Sequence, residues 1–240
     1  MGSTDDDPLA EDDEKPQHAI YTAAYYIGKY PVTNTQYWEF VADTGRKPPS
    51  GWRKAWLTGE VSFPDGRGDH PVTFVDWEDA AAYCRWLGEV TGRHYRLPWE
   101  AEWEKAARGL DGAVYPWGNE LPDARRANYG ETVGDTTPVG AHPLGASPYG
   151  CQDMVGNVWE WCGDWYDQDT DSAPDDSRVA RGGSWCSDEA CLRCASRGFD
   201  DPSLKDDAVG FRCVADVSSA STTPAGDDES PSNPRMKEAS

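Results

Sequence analysis

The chain has 240 residues, with 43 acidic against 22 basic side chains and a formal net charge of -21, so its surface would repel a phosphate backbone and nucleic acid is excluded as a partner. Twelve Trp against five Phe, with 24 Gly and 18 Pro, predict an α+β domain of short helices and small antiparallel sheets, in which large rings fill irregular gaps between turns. Carboxylates spread along the whole chain, with Arg outnumbering Lys, match proteins that stay soluble at high salt and point to a halophilic source.

Met1 to Lys15 is rich in Asp and Glu and has no apolar run, which excludes a signal peptide or membrane anchor and leads us to expect a cytoplasmic monomer. Residues 1–18 and 217–240 are too polar to offset their ordering entropy, so both are expected to be disordered tails around one domain at 19–216. Ile20, Tyr21, Tyr25, Tyr26 and Ile27, closed by Gly28 and Pro31, read as a strand or hairpin edge. Thr33 caps a helix that turns Tyr37, Phe40 and Val41 inward and stops at Gly45. Asp76 and Asp79 start a second helix, with Ala80, Tyr83, Cys84 and Leu87 inward and Gly92 past its end. A third begins at Pro98 and runs through Trp103 and Ala107 to Gly109. Beyond it only short strands and loops are legible, and such a half needs staples: metals, thiol links or stacked Trp rings.

Seven blocks then follow in order: Tyr26–Asn34, His70–Trp77, Arg96–Trp103, Tyr115–Asn119, Met154–Trp161, Arg181–Trp185 and Gly210–Arg212. Together they resemble the formylglycine-generating enzyme family, also called sulfatase-modifying factors, over about Ala19 to Asp216. The resemblance implies a C-type-lectin-like fold with little regular structure. Trp99 departs from it, standing where the family usually has a Thr or Ser helix cap, and the lost cap would cost about 1 kcal/mol.

In Asp153 to Glu160 two carboxylates lie seven residues apart around a glycine that permits a sharp turn, so that side-chain and carbonyl oxygens can converge on one hard cation, naturally calcium. The resemblance implies Asp153, the Gly156 and Val158 carbonyls, and Glu160 as its ligands. It also matches Asn128 and Tyr129 to the start of a second calcium site, whose carboxylate is not evident; Glu131 is the nearest candidate. Glu160 accepting backbone hydrogen bonds in a tight turn would give the same sequence.

Family members that oxidise sulfatases carry two cysteines five residues apart, which hold copper(I); soft thiolates suit that ion and leave a position open for a substrate thiolate. Cys186 and Cys191 have that mutual spacing, with Trp159, Ser184 and Trp185 expected to shape the substrate pocket. The match is incomplete, because Cys186 follows the aromatic directly, the link from Cys191 to Arg197 is short, and Ser187–Ala190 and Leu192 replace the usual His, Tyr and Arg. Cys84 and Cys213 match positions that are disulfide-linked in some relatives and should be neighbours. Cys194 should be unpaired because Ala107 holds its usual partner's place. Cys151 and Cys162 have no implied role, and no pair is spaced for zinc.

Two functions follow. One is a copper-dependent oxidase that converts a sulfatase cysteine to formylglycine, its acidic groove suiting the Arg of a Cys-x-Pro-x-Arg peptide. The other is a non-catalytic binding protein for a protein or peptide ligand, of the kind diversified by retroelements, which would display residues 186–209, among them Ser187, Asp188, Ala190, Cys194, Ser196, Phe199 and Asp201. A three-His iron oxygenase of the ergothioneine branch fits poorly, since His18, His70, His94 and His142 are scattered and read as structural or solvated. Trp159, Trp161 and Trp165 read as core rather than as a sugar platform.

Overall fold

The computed structural model describes residues 1–54, 61–166 and 176–217. In chain order its elements are β1 (Tyr25–Ile27), α1 (Asn34–Thr44), β2 (Arg53–Lys54), β3 (Val61–Ser62), α2 (Trp77–Thr91), β4 (Tyr95–Arg96), α3 (Glu100–Arg108), β5 (Trp159–Trp165), β6 (Arg178–Arg181), β7 (Arg197–Asp200), β8 (Val209–Gly210) and β9 (Val214–Asp216).

Local chemistry accounts for the helix ends. The Thr33 hydroxyl accepts from the Gln36 amide at 3.3 Å while Gln36 Oε1 accepts from the Thr33 amide at 2.9 Å, closing a capping box, and α1 ends on Gly45 at φ +69°. At α2, Asp76 Oδ1 accepts from the Asp79 amide at 2.7 Å. Asp79 does not reach back to complete a box, because its carboxylate pairs with Arg46 and Lys205. The third helix corrects the expectation of a missing cap. Trp99 supplies no side-chain acceptor, but Asp164 Oδ2, from β5, accepts from the Glu100 amide at 2.6 Å. Glu102 Oε2 accepts from the Trp99 amide at 2.9 Å, so a tertiary contact replaces the local cap.

Strand β9 is the middle of a three-stranded antiparallel sheet, ordered β1-β9-β4, which ties the end of the domain to its beginning. The four-stranded sheet is ordered β7-β6-β5-β8 and is antiparallel except that β8 runs parallel to β5. Helices α1 and α2 cover one buried cluster around Tyr37, Tyr83, Val72, Trp161 and Phe211. Helix α3 covers a second, around Trp103, Met154, Cys162, Val179 and Leu192. No helix among the described residues is long and apolar enough to cross a membrane.

The staples of the loop-rich half are buried ion pairs. Arg181, fully buried, reaches Glu100 Oε1 at 2.8 Å and Glu104 Oε2 at 2.7 Å. Arg197 holds the same Glu100 at 2.7 Å, and Arg212 holds Glu160. Burial pushes the Glu104 carboxyl up, but Arg181 and Arg108 more than reverse this and hold it below the usual carboxylate range.

Residues 1–18 differ from the expected disordered tail. Glu14 is 3% exposed and accepts from both terminal nitrogens of Arg193, at 2.7 and 2.6 Å. The Tyr166 hydroxyl donates to Asp13 at 2.6 Å, and the Gly2 amide donates to Glu104 at 2.9 Å. Composition alone suggested disorder, yet these carboxylates fold because buried guanidinium groups of the domain need anionic partners. The other expected tail, 217–240, lies outside the described residues apart from Val217. Replacing Glu14 by Gln leaves the buried Arg193 with only the more distant Asp7 carboxylate, at 3.7 Å, and should lower unfolding stability by about 3 kcal/mol. The exposed Asp12→Asn should change it by less than about 0.5 kcal/mol; urea unfolding midpoints of the two variants and the parent check the difference.

Candidate functional site

The turn from Asp153 to Glu160 is built by three left-handed residues: Asp153 at φ +54°, Gly156 at +74° and Asn157 at +67°. Gly156 is required, since a Cβ there would sit 2.5 Å from the Asn128 carbonyl oxygen. Asn157 fastens the turn to its neighbour: its amide donates to the Asn128 carbonyl at 2.9 Å, and its Oδ1 accepts from the Thr137 amide at 2.9 Å. Asp153 Oδ2 accepts from the Gly140 amide at 2.6 Å. Glu160 is fully buried; Oε2 accepts from Trp103 Nε1 at 2.7 Å and from Arg212 Nε at 2.6 Å, and Oε1 accepts from Arg212 at 2.7 Å.

Whether this turn suits a hard cation can be judged from its donors. Asp153 and Glu160 are two buried acids beside one guanidinium, and burial, against the pull of Arg212, pushes both carboxyls up toward the protonated form, a cost that a bound cation would relieve. Asn128 Oδ1, where the second site is expected to begin, is a buried acceptor with no hydrogen-bond partner among the described residues, a group that a cation would satisfy. Glu160 Oε2 is already saturated, so Oε1 is its remaining ligand atom. The Gly156 carbonyl accepts from the Val158 amide at 2.9 Å. The turn therefore fits calcium in its oxygen chemistry, with Arg212 already supplying part of the neutralisation. Tyr129 is half-buried, its carbonyl accepting from the Thr132 amide at 3.2 Å, and Glu131 is exposed.

The cysteine segment starts where β6 ends. Gly182 and Gly183, at φ +100° and +71°, let the chain pass beneath Met154 and Trp103; a Cβ on Gly182 would lie 2.6 Å from the Met154 carbonyl. Ser184 is buried, its Oγ 3.3 Å from Cys186 Sγ and 3.2 Å from Ser187 Oγ. Cys186 is exposed and Cys191 half-buried. Both are free, and the thiols that meet among the described residues are instead Cys84 and Cys213, 3.5 Å apart in the core. Burial, followed by the nearby Asp188 carboxylate, pushes the Cys191 thiol up to about 11, so it is protonated at neutral pH. Cys194 is fully buried and pushed up to about 12, first by burial.

Of the seven side chains expected on display, Cys194 and Ser196 are buried. Asp188, Ala190, Phe199 and Asp201 are exposed and Ser187 is half-buried. Chain position could not separate the two groups, because the short 3-10 turn Ala190–Leu192 rotates the following residues into the second core cluster.

Trp185 lines a cavity of about 290 Å³ together with Trp52, Phe74, His70, Asp135 and Asp207. Ser184 and Trp159 do not line it; Trp159 instead packs against the first core cluster, and a Cβ on Gly198 would be 2.9 Å from its ring. Phe74 adopts φ +57°, unusual for a bulky side chain, and is held there by its amide donating to the Asp206 carbonyl at 2.8 Å. His70, Trp52 and Phe74 were missed by sequence reasoning. An isolated His before Pro carries no signal of a cavity, and a left-handed Phe leaves none at all.

A family model described as the sulfatase-modifying factor enzyme 1-like domain matches residues 1–217. The formylglycine-generating enzyme of Thermomonospora curvata is 34% identical over 278 residues, covering 90% of each chain. The hercynine oxygenase of Mycolicibacterium smegmatis is 34% identical, covering 88% of this chain and 57% of that protein. The serine/threonine-protein kinase pkn1 of Chlamydia caviae is 36% identical over 85% of this chain, which spans only 35% of that relative. Among solved structures, PvdO from Pseudomonas aeruginosa superposes with a TM-score of 0.75 at 30% identity, covering 90% of both chains. Treponema denticola variable protein 1 superposes with a TM-score of 0.64 at 25% identity, covering 80% of this chain and 84% of that one. The chain belongs to the sulfatase-modifying factor family and has its C-type-lectin-like fold.

Proposed function

We propose that this chain is a binding member of its family, which grips a protein or peptide ligand through the face carrying Trp185 and the segment 186–209, over a frame braced by calcium. The observation that carries this reading is the display of the segment: Asp188, Glu189, Ala190, Phe199 and Asp201 stand exposed, while Cys186 and Cys191 are both free and, among the described residues, do not meet as a thiol pair. A copper(I) dithiolate needs both sulfurs converging on one ion, and binding itself releases the thiol protons. The exposed carboxylates of Asp188, Glu189, Asp200, Asp201 and Asp207 around that face suit a basic ligand and would speed its encounter at low salt. The likeness to a variable protein of Treponema denticola agrees with a displayed loop.

The second reading is a formylglycine-generating oxidase, favoured by the 34% identity over 90% of both chains to an enzyme of that name. Under it Cys186 and Cys191 would hold copper(I), which supplies oxygen activation when bound, and Trp185 would line the peptide groove. One experiment separates the two: titrate the reduced protein with copper(I) against a chelating competitor and assay aldehyde formation on a Cys-x-Pro-x-Arg peptide. The binding reading expects copper affinity unchanged in Cys186→Ser and Cys191→Ser, with no aldehyde from any form. Aldehyde formed by the parent and abolished by either substitution would overturn it.

Calcium is expected to use Asp153, the Gly156 and Val158 carbonyls and Glu160, with Asn128 Oδ1 and the Tyr129 carbonyl as the start of a second site. At a hundredfold excess over its dissociation constant it should add about 2.7 kcal/mol, raising the melting temperature by about 5–10 °C for a domain of this size. Asp153→Asn should abolish most of that rise in a scan with and without calcium. An equal rise in both proteins would place the ion elsewhere.

A further inference from the structure

The cavity beside Trp185 has a polar floor whose protonation state can be assigned from geometry. Arg67 Nη1 lies 3.0 Å from His70 Nδ1, and a guanidinium can only donate. His70 Nδ1 is therefore the acceptor, and the proton of the neutral ring sits on Nε2. Thr136 Oγ1, also 3.0 Å from Nδ1, crowds the same atom, and Asp135 pairs with the second terminal nitrogen of Arg67. Burial, then the Arg67 charge, pushes His70 below its usual value, which favours the neutral ring that this contact requires.

The backbone is held as firmly as the ring. The His70 amide donates to the Arg67 carbonyl at 3.1 Å, its carbonyl accepts from the Asn34 amide at 2.9 Å, and Asn34 Nδ2 donates to the Arg67 carbonyl at 2.9 Å. The 67–70 turn is thereby fixed to the first turn of α1. Among the described residues His70 Nδ1 carries the hydrogen bonds of the ring and Nε2 has none, while the residue lines the cavity with Trp52, Phe74 and Trp185 as flat walls and Asp207 as a carboxylate.

We propose that this cavity is a subsite for a peptide group: the His70 Nε2–H donates to a carbonyl of the ligand, Asp207 accepts from an amide N–H, and the rings of Trp52 and Trp185 flank an apolar side chain. A secondary amide offers one acceptor and one donor, the complement of what the cavity presents, whereas a phosphate or carboxylate ligand would meet Asp135 and Asp207. The proposal rests on the binding reading above and supplies its ligand chemistry.

The test uses the full chain and a neutral probe, N-acetyl-phenylalanine methylamide, followed by ¹⁵N NMR of the histidine rings. The free protein should show His70 as the Nε2–H tautomer, and millimolar probe should shift that proton and nitrogen. His70→Gln, whose amide nitrogen can take the place of Nε2, should retain binding. His70→Asn, which keeps an acceptor at the Nδ1 position and loses the outward donor, should weaken it about five- to tenfold, the loss of one hydrogen bond. Trp185→Ala should also weaken it. An Nδ1–H tautomer in the free protein, no shift at His70 with probe, or equal affinity in the parent and His70→Asn would each overturn the proposal. The copper and aldehyde assay is independent: an active oxidase in which His70 still senses the probe would defeat the binding reading and leave the subsite standing.

Discussion

The structure turns on one buried contact, the guanidinium of Arg212 against the carboxylate of Glu160. Both residues are fully buried, and the pair joins the segment before β9 to the middle of the four-stranded sheet. Removing two such charges from water is costly, and their attraction offsets that cost only when the remaining donors and acceptors are satisfied. Here they are: Arg212 also donates to the carbonyls of Gly28, Gln152 and Asp153 at 2.9, 3.0 and 3.1 Å, and Trp103 donates to Glu160. One pair of side chains thus gathers the strand end at Gly28, the start of the Asp153–Glu160 turn and the helix that carries Trp103. In a fold with few backbone ladders, that convergence gives the loops a single arrangement.

Arg181 makes a similar junction one layer away, although its Nε has no hydrogen-bond partner among the described residues. It lies between Glu100 and Glu104 on α3 and also reaches the carbonyls of Cys194 and Ala195, so the helix, β6 and the end of the cysteine segment are joined through a guanidinium rather than through a thiol link. Arg193 and Arg197 extend the network to Glu14 and Asp13. The surplus of carboxylates is therefore only partly a surface property. Several of them are internal counter-charges to buried arginines, arranged on both sides of the second core cluster.

Much of the frame was legible from residue chemistry. Thr33 with Gln36, Asp76 with the Asp79 amide, and the glycines after α1 and α2 mark helix ends through bonds made within four residues, which a linear reading can find. Trp99 shows the limit: its missing acceptor is visible in sequence, but the Glu100 amide is instead bonded by Asp164, sixty-four positions beyond Glu100. The same limit applies at the site. The turn at Gly156 announces itself through its carboxylates and glycine, and Trp185 through the aromatic after Gly182 and Gly183. His70 and Trp52 acquire meaning only when the fold brings distant turns to one cavity. The N-terminal segment misled for a related reason, since composition records the carboxylates and not the buried arginines that receive them.

Gly182 and Gly183 have a bearing on how this chain can change over generations. Up to Ser184 the β6 strand and its exit pass under Met154 and Trp103 with no room for a side chain at Gly182, so nearly any replacement there would be rejected by the packing above it. A few residues later Glu189 and Ala190 stand in solvent with side chains outside the core, while the exposed Asp188 accepts from the Ala190 and Cys191 amides and holds the turn. Sequence change in this molecule is thereby channelled to a short exposed stretch immediately downstream of a tightly packed one.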